Sequence, residues 1–503
     1  MRFRMMRLAS AVLAVTLTVS TVQLAQPAAA ETPQINAQAA AFLLTQLVDG
    51  ERIETRFGEM SFPDAGLTAD VIFASFQADV AADKTEPALT WLAAQTDAYT
   101  GVTSGDTYAG AVAKLLLVGE ASGSDTLFGT DTLIGRLLDR HQTSGRFTDA
   151  SSFGDFSNTI TQSLAIIALS RSAPEQLPAT AATYLAGQAC TDGGFPSAFD
   201  TEVCTSNVDA TGFAVQALRA AGNTAAVNAA VAWLTQELDA ERITNANAAG
   251  LAASAFAATG SSDALARTQT IITGLQAGCA ANMPGAIRFS ATDVGDATRA
   301  TAQALFGRLG GDLATVTAPT SGVVPVALSC PPRFSDLDYD ASVHAANIVA
   351  LQQADTLAGF GDGTFRPRAA ITRGQFASLL VTATGTAEMT ETTPFSDLVD
   401  DTHAAALGTL YARGVISGFR DGTVRGSAPI TRAQAAAIVS RFIASGTAAP
   451  AAYSDIADTL FAKAIIDVTE RGLFQGINGQ FVPDGPLRRD QAASVIVNVV
   501  ALP

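Results

Sequence analysis

Residues 360–373 read FGDGTFRPRAAITR, and this stretch decides the fold of the last third of the chain. It returns as FRDGTVRGSAPITR at 419–432 and, one residue shorter, as INGQFVPDGPLRR at 477–489. Each copy follows an aromatic-Ser-Asp opening and a helix-like stretch, and each runs into a second helix-like stretch. Repetition with a period of roughly 50–60 residues is typical of units that bury their apolar faces against one another. We therefore predict three packed helical repeats.

A glycine-rich turn precedes the second helix of each repeat. Asp362-Gly363 and Asp421-Gly422 predict turns in which the glycine takes a positive φ and the backbone can lie close to a ligand. Thr372 and Thr431 follow as predicted N-caps of the second helices.

An arginine stands just inside each second helix, at Arg373, Arg432 and Arg489. A guanidinium offers a planar fork of donors that matches a carboxylate, and a helix N-terminus adds unpaired N–H groups and a positive dipole. The three positions are therefore suited to binding acidic groups. The alternative is that these arginines form salt bridges with Asp336, Asp397 or Asp455 of a neighbouring repeat.

These residues resemble the S-layer homology family, the triple module by which bacterial surface proteins hold cell-wall polysaccharide. The resemblance implies a helical pseudo-trimer whose inter-repeat grooves take up an anionic secondary wall polysaccharide. Its Thr-Arg-Ala-Glu position falls on the three arginines. The residues that the resemblance and the turn chemistry assign to the polysaccharide are Arg373, Arg432, Arg489, Gly361, Asp362, Gly363, Asp421, Gly422, Thr372, Thr431, Gln375 and Gln434.

The repeats depart from the family pattern at several positions. Gln375, Gln434 and Gln491 replace the glutamate of the signature, and the tryptophan of the first helix is absent. The third turn has also lost a residue. We expect ligand contacts to differ between the grooves, and the first two grooves to bind better than the third.

The N-terminus has the pattern of a secretory signal peptide. Arg2, Arg4 and Arg7 precede an apolar run over residues 8–24, and small residues at 28–30 provide a cleavage site. No later apolar stretch is long enough to span a bilayer. We expect a secreted protein of the cell wall or S-layer, without a transmembrane segment in the mature chain, attached non-covalently through the repeats.

The chain is acidic, with a formal net charge of −17. Residues 31–330 carry 14 basic and 30 acidic groups, a net charge of −16, whereas residues 331–503 carry 13 and 17, a net charge of −4. A nucleic acid is therefore not an expected partner. The less acidic part is the one predicted to bind an anion.

Four cysteines in an exported protein favour disulfides over metal or redox chemistry. Cys190 and Cys204 bracket a turn-rich segment, which favours a local bridge between them, and Cys279 would then pair with Cys330. The other two connectivities and free thiols stay open on the sequence alone.

Residues 31–315 repeat more loosely. Apolar runs such as residues 212–218 predict inner helices, and more amphipathic segments at 88–95, 181–188 and 230–237 predict outer partners. A spacing of about 40–50 residues between the helix pairs favours a closed ring. The predicted N-caps of the inner helices are Asp106, Asn158, Asp209, Asn247 and Asp296.

The motif QACTDGGF at residues 188–195, with fainter copies at 95–99 and 142–147, resembles the α/α-toroid superfamily of prenyltransferases and terpene cyclases. We therefore predict an all-α chain, with an α/α toroid of helix pairs followed by the helical pseudo-trimer of three repeats. The predicted bounds are a signal peptide at 1–30, a toroid at 31–315, a proline-rich linker at 316–332 and repeats at 333–386, 394–447 and 452–503.

The toroid half lacks the residues that its relatives use for chemistry. No Asp-x-Asp-Asp string of the cyclases occurs in residues 31–330, and a single histidine, His141, argues against a prenyltransferase zinc site. We predict no cofactor, no metal site and no catalytic residue, and a toroid that binds a small molecule, glycan or protein. The alternative is a surface-anchored enzyme, such as a glycan hydrolase or lyase, using paired acids among Asp192, Asp200, Glu202, Asp209, Asp293 and Asp296.

Overall fold

The computed structural model describes residues 32–339, 341–389, 393–398, 401–443 and 453–502. The predicted signal peptide lies outside these residues. The chain divides at Cys330 and Pro331 into two compact units, each with its own apolar core. We call residues 32–330 the toroid unit and residues 331–502 the repeat unit.

The toroid unit consists of helix pairs, one short hairpin and brief 3₁₀ turns. Its elements are α1 Thr32–Gln46, β1 Glu54–Phe57, β2 Met60–Pro63, α2 Ala65–Gln77, α3 Ala82–Ala94, α4 Thr96–Tyr99, α5 Ala109–Ser122, α6 Asp125–Phe128, α7 Thr130–Leu138, α8 Thr159–Ser172, α9 Ala179–Gly187, α10 Val208–Ala220, α11 Thr224–Asp239, α12 Ala246–Thr259, α13 Ser262–Gly274 and α14 Ala297–Arg308.

Six of these helices close an inner ring. Each packs on the next in the order α2, α5, α8, α10, α12, α14, and α14 returns to α2. Outer helices lie against them: α7, α9, α11, α13 and α1 each contact two successive inner helices, and α3 contacts α2. Inner helices are buried nearly all round, so Leu115, Leu116 and Leu117 of α5 are all fully buried. The predicted all-α class with a toroid is confirmed.

A recurring hydrogen bond ties each turn motif to the ring. The backbone N–H of Phe195 donates to Thr211 Oγ1 at 2.9 Å, and that of Phe147 donates to Gln162 Oε1 at 2.9 Å. The same arrangement joins Ile53 to Thr68 and Ile287 to Thr301. Because these donors and acceptors are buried, pairing them removes a desolvation cost at four of the six inner helices.

Three of the five predicted N-caps are corrected by the structure. Asn158 and Asp296 cap α8 and α14 as predicted. Asn207 caps α10 in place of Asp209, and Asn245 caps α12 in place of Asn247. The side chain of Asp106 instead accepts hydrogen bonds from Ser104, Tyr108 and the backbone of Ser152, while α5 begins at Ala109.

Both predicted disulfides are present. Cys190 is bonded to Cys204 across 14 residues, and Cys279 is bonded to Cys330 across 51 residues. No free cysteine remains in the described part of the chain. The second bridge fixes the end of the toroid unit.

The repeat unit contains two helices per repeat and a 3₁₀ turn at Ser454–Ile456. Its helices are α15 Ala345–Gln353, α16 Arg373–Ala383, α17 Ala404–Ala412, α18 Arg432–Phe442, α19 Ala462–Glu470 and α20 Arg489–Val500. Short bridges join Ala370 to Arg488, Thr372 to Pro429 and Thr431 to Pro486, so the segments before α16, α18 and α20 meet one another. This closure brings the starts of the three arginine-bearing helices together.

Candidate anion-binding grooves

The aspartate that opens each repeat holds the turn of the same repeat. Asp336 accepts the N–H groups of Phe365 and Arg366 at 2.7 Å each. Asp397 does so for Val424 and Arg425, and Asp455 for Phe481 and Val482. The alternative in which these aspartates pair with Arg373, Arg432 and Arg489 is therefore wrong.

The Asp-Gly turns form as predicted, but their aspartates are used inside the turn. Gly363 and Gly422 have φ values of +78° and +79°. Asp362 accepts hydrogen bonds from the backbone and hydroxyl of Thr364 and pairs with Arg366 at 2.9 Å. These contacts, with the Thr364 hydroxyl first, lower the pKa of Asp362 to about 2.

Asp421 repeats this arrangement with Thr423 and Arg425, and its pKa is likewise lowered to about 2. Both carboxylates are therefore occupied within their turns, whereas the backbone at Gly361, Gly363 and Gly422 is exposed.

Capping boxes begin the first two arginine-bearing helices. Thr372 Oγ1 accepts the N–H of Gln375 at 3.2 Å, and Gln375 Oε1 accepts the N–H of Thr372 at 3.2 Å. Thr431 and Gln434 form the same box in α18. The glutamines that replace the signature glutamates therefore keep the capping function without its charge.

Each of these three arginines reaches into the groove of the next repeat rather than its own. Arg432 donates to the carbonyl oxygens of Phe481 at 2.8 Å and Gln475 at 2.7 Å. Arg489 donates to Phe365 O at 2.9 Å, and Arg373 donates to Gln434 Oε1 at 2.8 Å.

Aromatic rings support all three guanidinium groups. Arg432 lies over Phe481 at 4.8 Å, Arg489 over Phe360 at 4.8 Å, and Arg373 over Phe419 at 5.1 Å. Stacking on a ring fixes the plane of the fork while leaving donors free for a ligand.

The three arginines have no carboxylate partner within 4.0 Å among the described residues. Burial is the largest cause of the lowered pKa of each, ahead of the neighbouring charges. Arg432 is only 3% exposed. Asp455 acts favourably on Arg432 and Asp336 on Arg489, but without direct contact. Burying a cation without a contacting carboxylate is costly, and an anionic ligand would offset that cost.

Two of the three grooves are open. The Arg432 groove has a volume of about 560 Å³ and is lined by Arg432, the turn at 473–478, α20 and His344. The Arg489 groove has a volume of about 250 Å³ and is lined by Arg489, the turn at 356–360, α16 and His403.

A histidine and a serine complete each open groove. His403 Nδ1 lies 2.8 Å from Ser378 Oγ, and His344 Nδ1 lies 2.8 Å from Ser494 Oγ. Burial lowers the pKa of His344. The sequence analysis missed these pairs, although a serine five residues after Arg373 and Arg489 was a usable signal.

The groove that contains Arg373 has larger side chains at two of the equivalent positions. Arg441 donates to Val415 O at 3.1 Å, from the helix position that Thr382 and Asn498 hold in the open grooves. Phe461 begins α19 where a histidine begins α15 and α17. The geometry therefore favours Arg432 and Arg489 as ligand contacts, whereas the sequence favoured the first two repeats.

Comparison with known proteins agrees with this reading of the repeats. The model of the S-layer homology domain matches residues 333–377, 394–436 and 452–493. The repeat unit is a triplet of S-layer homology repeats. Cell surface glycoprotein 1 of Acetivibrio thermocellus is 31% identical over 158 residues, which are 28% of this chain and 7% of that protein. The chain thus spans less than a tenth of this relative, and the matches support a location at the cell surface.

Two solved structures are similar to the toroid half. The type II terpene cyclase MstE from Scytonema is 15% identical, with a TM-score of 0.43, and covers 55% of this chain and 96% of its own. The unsaturated glucuronyl hydrolase of Bacillus sp. GL1 is 11% identical, with a TM-score of 0.42, and covers 56% and 98%. Similarity at this level says nothing about what the toroid unit does.

The acids considered for catalysis have mostly structural contacts. Asp192 accepts hydrogen bonds from Ser206 Oγ at 2.6 Å and Trp233 Nε1 at 3.0 Å. Asp200 pairs with Arg146 at 2.8 Å, and Asp296 caps α14. Burial raises the pKa of Asp209. This residue lies one helical turn before Phe213, which lines the interior of the ring. An enzymatic role for the toroid stays an alternative prediction.

The described residues contain no helix long and apolar enough to cross a membrane. They also contain no cluster of three or more His, Cys, Asp and Glu side chains arranged to hold a metal ion.

The lowered pKa values of Asp362 and Asp421 predict that the repeat unit loses thermal stability in acid. A carboxyl whose folded pKa is about 2 stabilises the fold above the unfolded pKa of about 4, and this contribution is lost as the pH falls from about 4 to about 2. Asp362→Asn with Asp421→Asn should therefore reduce the loss of thermal stability in that pH window. Circular dichroism melts at pH 7, 4, 3 and 2 would measure it. Asp458→Asn with Asp484→Asn, at exposed positions away from the two Asp-Gly-Thr turns, is the matched control and should melt like the parent at every pH.

Proposed function

We propose that this chain is a secreted protein held non-covalently at the cell surface by an anionic secondary wall polysaccharide, which binds in the grooves of the repeat unit. The observation that carries this proposal is the set of buried arginines without carboxylate partners, two of which open onto grooves. Acidic sugar substituents fit them, because a carboxylate would receive charge-assisted hydrogen bonds from the free donors of each fork.

The stacked rings and polar side chains of the open grooves suit a sugar rather than a bare ion. Phe360 and Phe365 lie beside Arg489, and the His403–Ser378 pair provides further hydrogen-bonding groups. The toroid unit would then be presented at the surface as a ligand-binding module. The proposal includes the domain bounds predicted from the sequence for the signal peptide, the linker and the repeats.

Co-sedimentation with purified walls of the source bacterium tests the proposal. The full chain should pellet with intact walls and remain in the supernatant after the secondary polysaccharide has been removed with hydrofluoric acid. Added soluble wall polysaccharide should release it. Equal binding to intact and stripped walls would contradict the proposal, since peptidoglycan alone would then be the ligand.

A further inference from the structure

We propose that a cleft of the toroid unit, outside the repeat unit, binds a neutral oligosaccharide. The cleft lies between the β1–β2 hairpin and helices α3 and α4, with a volume of about 480 Å³. This volume is within the range of small-ligand sites. This cleft would be the binding site of the toroid unit that the proposed function presents at the cell surface. Binding there does not depend on how the chain is attached to the wall.

One wall of the cleft is the apolar face of the hairpin. The antiparallel register places Thr55 opposite Phe62 and Phe57 opposite Met60, so these four side chains share a face. Phe57 is 67% exposed and Phe62 is 46% exposed, and their ring centroids are 6.3 Å apart.

The other face of the hairpin is polar. Glu54 accepts hydrogen bonds from Ser61 at 2.8 Å and from Arg52 at 2.7 Å. A two-stranded hairpin is marginally stable alone; the contact between the Phe57 and Phe62 rings supports it but leaves these residues 67% and 46% exposed. Two exposed phenylalanines that line a cleft are better explained by a ligand than by the fold.

The facing wall supplies hydrogen-bonding groups. Trp91, Gln95 and Tyr99 line it from α3 and α4. Among the described residues, neither the Trp91 indole N–H, the Gln95 amide nor the Tyr99 hydroxyl has a protein hydrogen-bond partner. A wholly apolar ligand would leave these groups unpaired, at a cost in affinity.

The charges of the cleft cancel. Arg299 lies 3.2 Å from Asp64 and 3.5 Å from Asp296, so the cation is already neutralised. The toroid unit as a whole has 14 basic and 29 acidic residues, which disfavours an anionic ligand. Flat aromatic faces accept the C–H edge of a sugar ring, and the free donors and acceptors match its hydroxyl groups. Neutral sugar rings combine these two requirements.

Tryptophan fluorescence of the full chain provides the test. The chain has two tryptophans, Trp91 in the cleft and the buried Trp233, and both lie in the toroid unit. Titration with cellotriose, maltotriose and N,N′,N″-triacetylchitotriose should give a saturable change with at least one of them. Sugar binding in the repeat unit would not be seen, so failure here and failure of wall binding are distinguishable.

The variant is Phe57→Ala with Phe62→Ala, and the matched control is Phe153→Ala, which removes a ring that is 78% exposed on another loop. We expect affinity for the bound trisaccharide to fall at least tenfold in the double variant and to change less than twofold in the control. Binding of none of the three sugars at 20 mM, or equal affinity in the double variant, would overturn the proposal. Binding of the apolar dye 1-anilinonaphthalene-8-sulfonate to the cleft without competition by any sugar would also overturn it.

Discussion

Replacing Arg432 and Arg489 together by glutamine should abolish wall binding at concentrations where the parent chain is fully bound. Each change removes a cation whose donors face an open groove. Hydrogen bonds to charged groups contribute about 1.5–3 kcal/mol each, so two such losses correspond to roughly a thousandfold weaker binding. Co-sedimentation over a range of wall concentrations would give the affinity ratio.

The design separates ligand contact from folding and from net charge. Glutamine keeps an amide donor for Phe481 O and Phe365 O, the carbonyls that the arginines contact. Arg56→Gln with Arg413→Gln removes the same charge from two exposed positions and should bind like the parent. Unchanged binding of the double variant, with an unchanged melting curve, would exclude the arginines as the wall contacts.

Arg373→Gln should weaken wall binding less than Arg432→Gln alone or Arg489→Gln alone. In the Arg373 groove, Arg441 stands where the open grooves have a smaller side chain. Phe461 begins α19 there, at the position that a histidine holds in the open grooves. A comparable loss with Arg373→Gln would show that the filled groove opens when the polysaccharide binds.

Local chemistry made much of the repeat unit predictable from the sequence. A threonine before a helix with glutamine three residues later has few alternatives to a capping box, and Thr372 with Gln375 forms one. An Asp-Gly pair needs a positive φ at the glycine, which Gly363 shows. In both cases donor and acceptor lie within a few residues of each other.

Contacts between distant residues were not predictable in the same way. The sequence could not show that Asp336 clamps residues about thirty positions later, or that Arg441 occupies the Arg373 groove. In the toroid, Asn207 and Asp209 lie two residues apart and both have side chains that can cap a helix. Asn207 is the cap because α10 begins at Val208, and the sequence did not fix that starting point. The amphipathic segment at 88–95 predicted part of α3, but the cleft also depends on the register of the β1–β2 hairpin and on α4, which the sequence pattern did not indicate.

Gly307→Ala should destabilise the toroid unit strongly, because the crossing of two inner helices leaves no room for a side chain. A Cβ at Gly307 of α14 would overlap the carbonyl oxygen of Gly250 in α12. One at Gly250 would in turn overlap the backbone of Gln303. Since backbone cannot move aside without shifting a helix, we expect a loss of about 3 kcal/mol or more in the free energy of unfolding.

Gly135→Ala is the matched control for this change. Gly135 lies inside the outer helix α7, is exposed, and a Cβ there would meet nothing within 4 Å. Alanine should therefore raise the stability by about 0.5–1 kcal/mol, since glycine is a poorer helix former. Urea unfolding followed by tryptophan fluorescence measures both variants, because Trp91 and Trp233 report only on the toroid unit.

The opposite signs of the two glycine variants test the closure of the ring itself. Gly250 and Gly307 allow α12 and α14 to approach at backbone distance, and α14 also packs against α2 to complete the circle. Pushing α12 and α14 apart would also strain the junction of α14 with α2. We therefore expect the whole ring to unfold in one cooperative step, with its midpoint at a lower urea concentration than in the parent. A Gly307→Ala variant as stable as the parent would mean that the two helices do not cross so closely, and that the ring closes with a wider spacing there.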